Sequence, residues 1–151
     1  MTGNDFADLP MKRRWLYAGI AIASVLQFFF EGLWHELLFK NSYGDLQPLL
    51  RPVPQLLYNF LSESAFAGVA GFFYLHIPNE RRSVKTGISI GSILGLLIAL
   101  YQFLGRYGSF NMSIYVVVLE LIKTTILGII CGSVIAFMEL KLNAGNRAAS
   151  K

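Results

Sequence analysis

Gln27, Glu31 and His35 are spaced by four residues, which stacks them on one face of a helix. Ser24 lies beside that face, while Glu36 points well away from it. A carboxylate, an imidazole and an amide in one file can bind a small polar solute or ion, or hand on a proton. Three further pairs have helical spacing: Asn59 with Glu63, Gln102 with Arg106, and Glu120 with Lys123. Glu31, Glu63, Glu120 and His35 are metal ligands by type, but no compact ligand spacing accompanies them, so no metal site is expected. His35–Phe39, "HELLF", begins like the zinc-protease helix H-E-x-x-H but has Phe39 where the second histidine is required. Nucleophile-elbow, phosphate-loop and dinucleotide motifs do not occur, so the expectation is a protein that is not an enzyme and has no cofactor. The single cysteine, Cys131, rules out an intrachain disulfide and a paired-cysteine redox motif.

The elements that must position these groups are set by hydropathy. Of 151 residues, 54% are hydrophobic and 15% charged, with a mean hydropathy of +0.51, too apolar and too charge-poor for an ordinary soluble domain. A hydrocarbon core about 30 Å thick needs roughly 20 helical residues, and four runs meet that length: 15–39, 56–77, 86–105 and 112–138. They are continuous rather than alternating, which predicts helices and not barrel strands. The expected fold is therefore all-α, a four-transmembrane-helix antiparallel bundle over 15–141, with a segment at 1–14 before it and a tail at 142–151 after it.

Charge supplies the orientation. Lys12, Arg13, Arg14, Arg81, Arg82, Lys85, Lys141, Arg147 and Lys151 fall on one side, against Lys40, Arg51 and Arg106 on the other. The positive-inside rule then predicts that both termini are cytoplasmic, in a plasma membrane. Lys12, Arg13 and Arg14 before an apolar run also fit a secretory signal, but the run continues to Phe30, beyond a signal's apolar length. The net charge of +4 is spread over termini and loops, so no nucleic-acid partner is expected.

With this orientation Glu31 lies about 10 Å below the outer end of its helix, roughly seven residues at 1.5 Å each. Glu63 and Glu120 fall at a similar depth, with Asn59 one turn above Glu63 and Lys123 one turn deeper than Glu120. Gln102 and Arg106 bring the third helix to the same outer half, whereas the inner half shows Ser, Thr and Cys, with His76 at its boundary. Charged side chains at such depths cost at least ~2.5–3.5 kcal/mol each unless they face protein or water. Two readings stay open: a binding or transfer site for a small polar solute, ion or proton, or ion pairs that fix helix packing in an assembly or accessory subunit of a membrane complex.

Small residues supply the predicted contacts. Gly87, Gly91, Gly95 and Ala99 recur every four residues on the third helix, and Thr124, Gly128, Gly132 and Ala136 on the fourth. Such stripes let backbones approach closely where lipid offers no hydrophobic drive. They are expected to face each other, with a homo-oligomer contact as the rival use. "FKNSYGDL" after the first helix and "FLGRYGSF" after the third, with Tyr58, Glu63 and Gly71 offset equally from Tyr115, Glu120 and Gly128, suggest two related helical hairpins. The link 40–55, stiffened by Pro48, Pro52 and Pro54, is expected to cover the outer mouth.

"GLWHELLFKNSYGDL", Gly32–Leu46, followed by Arg51, resembles uncharacterised small four-helix integral membrane proteins of bacteria. The resemblance implies a four-span fold in a bacterial inner membrane and carries no activity with it. It also implies that Trp34, Phe39 and Tyr43 are interfacial anchors, as their rings would be unaided.

Overall fold

A computed structural model of the chain describes residues 9–42, 56–109 and 113–149, with side chains described from 16 to 141 within those ranges, apart from Arg106 and Ser109. No strand occurs among the described residues. Helix α1, Leu9–Leu33, continues into a π-helical turn at Trp34–Leu38. Helix α2 spans Leu56–Leu75, and a single 3-10 turn, Asn79–Arg81, leads to α3, Val84–Ala99. A second π turn, Leu100–Leu104, joins α3 to the short α4, Gly105–Ser109, and α5 runs from Ile114 to Ala149.

Three stretches are long and apolar enough to cross a membrane: Leu16–Leu38, Val84–Leu104 and Ile114–Lys141. Helix α2 has the length, but Asn59, Ser62, Glu63 and Ser64 lower its apolarity below that of the other three. The last helix extends well past the expected end at 138, because Glu139, Leu140 and Lys141 are strong helix formers with no proline or cap behind them. The N-terminal helix likewise begins before residue 15. The covering link 40–55 lies outside the described residues from 43 onward.

Lipid and protein interior alike leave backbone groups to be satisfied within the chain, and the hydroxyls follow the same rule. Ser24, Ser64, Ser89, Ser92, Thr125 and Ser133 each donate to the carbonyl four residues earlier in their own helix, at 2.6–3.0 Å. That back-bonding hides the hydroxyl's polarity and commits its proton. Ser83 caps α3, accepting from Thr86 N at 3.0 Å, which satisfies one of the donors left over at a helix start.

Helix α5 is the hub, packing on α1, α2 and α3, with its most extensive contact on α3. A Cβ built on Gly91 would overlap the carbonyl of Gly128, one on Gly87 that of Gly132, and one on Gly95 would stand 2.5 Å from Thr124 O. The pairs Gly87–Gly132, Gly91–Gly128 and Gly95–Thr124 run in opposite order along the two helices, with Ala99 and Ala136 buried at the ends of the seam. Helix α1 meets α5 less closely: a Cβ on Gly19 would make ordinary contact with Met138 at 3.4 Å.

Two apolar clusters fill the interior. One joins Leu16, Ala23, Ala67, Ala70, Tyr74, Cys131, Ile135 and Ala136; the other joins Trp34, Ala99, Phe103, Val116, Val117 and Leu119. Trp34 is buried there, with its ring 4.4 Å from Phe39 and 5.8 Å from Phe30. The expected interfacial anchor is thus a core residue, packed against the Phe30 and Phe39 rings. Tyr58 and Tyr115, equivalent by offset, are both exposed, while Gly71 and Gly128 are both buried.

Candidate functional site

The second cluster ends against a knot of charged side chains built around Lys123. Lys123 and Glu120 are both buried and stand three residues apart on α5. Lys123 Nζ lies 2.8 Å from Glu120 Oε2, 2.9 Å from His35 Nε2 and 3.4 Å from Glu31 Oε1. An ammonium carries three protons and no lone pair, so these three acceptors use its donors completely. His35 Nε2 must therefore accept, which puts the ring proton on Nδ1 and leaves the imidazole neutral. Its 3.6 Å separation from Glu120 Oε1 is too long for a hydrogen bond.

His35 stands at the start of the π turn, four residues beyond Glu31. One extra residue in the turn, closed by Phe39 N donating to Trp34 O at 2.9 Å, widens the helix and rotates the side chains beyond it. Segments of this kind recur at functional sites. Glu31, one turn earlier in regular α-helix, meets the same ammonium. From α2, Glu63 lies within electrostatic reach of the Glu31 carboxyl and of the Lys123 ammonium. Glu31, His35, Glu63, Glu120 and Lys123 thus converge from three helices, with 26% of the Glu31 side chain and 34% of the His35 side chain exposed.

Other expected members stand elsewhere. Asn59 and Gln102 are exposed, and no described hydrogen bond ties either to the cluster. Asn59 belongs to the first turn of α2, where Leu56, Leu57 and Tyr58 are exposed as well, so that turn stands away from its neighbours. Gln102 is turned out by the second π turn, which keeps the small-residue stripe running from Ala99 to buried Phe103. The Arg106 side chain lies outside the described residues. Glu36 is exposed and pairs with Lys40 at 3.9 Å, and exposed His76 bonds Phe72 O through Nδ1 at 2.8 Å. No group of three or more metal-ligating side chains forms a cation site among the described residues.

Gln27, one turn below Glu31, is wholly buried; its Nε2 donates to Leu127 O at 3.3 Å, and its Oε1 has no hydrogen-bond partner. Polar character therefore continues one turn into the bundle from the charged knot.

The opposite end holds an ion pair that residue types alone did not reveal. Arg82, in the α2–α3 link, turns back so that NH1 donates to Glu139 Oε1 at 3.0 Å, Nε to Ile77 O at 2.9 Å and NH2 to Leu75 O at 2.6 Å. It closes the last carbonyls of α2 and ties them to α5. A guanidinium that reads as a loop charge is 84% covered by its neighbours. A usable signal was present, since Arg82 and Glu139 have opposite charge and topology brings both to one end. Searched against family models, curated proteins and solved structures, the chain matches none, so the guide to what the Lys123 cluster does is the chemistry of its own groups.

Proposed function

We propose that the chain is a multi-pass protein of a bacterial inner membrane, a four-span antiparallel bundle with both termini cytoplasmic, which binds or passes a proton, small cation or other small polar solute at the Lys123 cluster. The observation that carries this reading is the gathering of carboxyls from three helices around one ammonium: Glu31 and Glu120 at Lys123, with Glu63 within electrostatic reach of Glu31 and Lys123. Three carboxyls against one ammonium leave negative charge that a proton or a cation must neutralise. Lys123 cannot serve all three, because its three donors already go to Glu120, His35 and Glu31. Partial exposure of Glu31 and His35 gives a solute a way in.

A second reading, an accessory subunit whose polar groups serve helix packing, is favoured by the direct pairing of Lys123 with Glu120 and Glu31. Purified protein in liposomes containing a pH-sensitive dye separates the two. Under the first reading Glu31→Gln and Glu63→Gln insert and fold normally but lose proton or cation flux. Under the second, wild type shows no flux, and the variants lose expression or cohesion with a partner instead.

A further inference from the structure

Tyr74 is the largest fully buried side chain, 1% exposed, and its hydroxyl makes no hydrogen bond within the described protein. A buried hydroxyl left so costs about 1–3 kcal/mol, so the position calls for a partner. It lies within electrostatic reach of both Glu139 and Arg82, and the elements around it otherwise offer apolar or small groups: Leu16 and Ala23 from α1, Ala70 from α2, Cys131 and Ile135 from α5.

We propose that Tyr74, Arg82 and Glu139 form a second polar site, which admits water and with it a proton from the end opposite Lys123, and that the Arg82–Glu139 pair is the closure over it. A water molecule accepting from the Tyr74 hydroxyl gives that group the partner it lacks within the described protein. A proton arriving with water goes to the Glu139 carboxylate; Arg82 stays charged and loses that ion pair, and Tyr74 keeps its own hydroxyl proton. Closure is mechanical as well as electrostatic, because the same guanidinium holds Leu75 O and Ile77 O. Releasing Glu139 frees the α2–α3 link from α5. As one half of a path the site rests on the Lys123 cluster being a transfer site, about 16 Å away along α2 from Glu63 to Tyr74 at 1.5 Å per residue.

The only cysteine reports on this opening, since Cys131 is wholly buried in the same core cluster as Tyr74. In membrane vesicles of either orientation, its reaction with an impermeant maleimide measures whether water passes Tyr74. Arg82→Gln and Glu139→Gln are each expected to speed labelling about tenfold from the Arg82 side alone, as a local opening does, while Arg81→Gln leaves the rate unchanged. Unchanged labelling in folded Arg82→Gln and Glu139→Gln proteins overturns the proposal. Should those variants not fold, water-edited solid-state NMR of tyrosine-labelled wild type decides: magnetisation passing from water to Tyr74, assigned by its loss in Tyr74→Phe, upholds the site, and a dry Tyr74 overturns it. Flux in Glu31→Gln and Glu63→Gln is a separate readout, so loss of flux without Cys131 opening removes this second site alone, and opening without any flux removes the transfer reading alone.

Discussion

The two ends of the helical molecule both hold a charged pair, yet they are built differently. At one end Lys123 and Glu120 belong to a single helix and draw in Glu31, His35 and Glu63 from two others. At the other, Arg82 comes from a link and meets one carboxylate, with backbone carbonyls as its remaining described partners. The first knot has more carboxyls than one ammonium can serve and opens partly to the surface, with side chains 26% and 34% exposed; in the second a guanidinium meets a carboxylate, and the two are more covered, at 16% and 13%. Charge excess with access is what a site for a solute needs, whereas matched charge without access is what a closure needs.

Substitutions that strike one end at a time break or sharpen this contrast. The largest effect is expected from Lys123→Met, which strips the counter-charge from buried Glu120: about 3–5 kcal/mol of stability should be lost, measured by unfolding in mixed micelles. Adding Glu120→Met should restore part of that loss, because a matched apolar pair carries no buried charge; failure to restore any would mean that Lys123 serves Glu31 rather than Glu120. Gly91→Val comes next, at about 1–3 kcal/mol or more, since its side chain would strike the Gly128 carbonyl and not a side chain that can move aside. It loosens the α3–α5 seam between the ends, so it should weaken both, and a thermal scan that shows only one end affected would contradict the seam's role.

Arg82→Gln should cost about 1–2 kcal/mol, less than Lys123→Met, because one ion pair and its carbonyl bonds are lost from a partly covered position. Equal losses at the two ends would erase the distinction drawn between them. Smallest of all is Ser89→Ala, whose hydroxyl serves only its own helix; a change within about 0.5 kcal/mol is expected in the same assay.

How much of this was legible in the residues differs along the chain. The helical runs and the small-residue stripes are periodic features of the local sequence, and the similar depth of Glu31, Glu63 and Glu120, with Lys123 one turn deeper, comes from counting residues along spans. Asn59 and Gln102 belong to the same outer half, each on a helical face with a charged partner, but depth is one coordinate and packing needs three. The exposed first turn of α2 and a π turn after Ala99 set them apart from the cluster, and neither has a signature in residue type. Trp34 was legible as an aromatic at a helix end, but its burial against Phe30 and Phe39 was not.

Composition and periodicity alone determine that this chain is helical and apolar enough for a membrane, because every backbone group there must be satisfied within its own segment. Which polar groups meet is a tertiary matter, as with the shared ammonium of Lys123 and the inward turn of Arg82 onto Glu139. Facing is the physical reason: spacing along a helix orders side chains by height, while only the rotation of one helix against another chooses their partners.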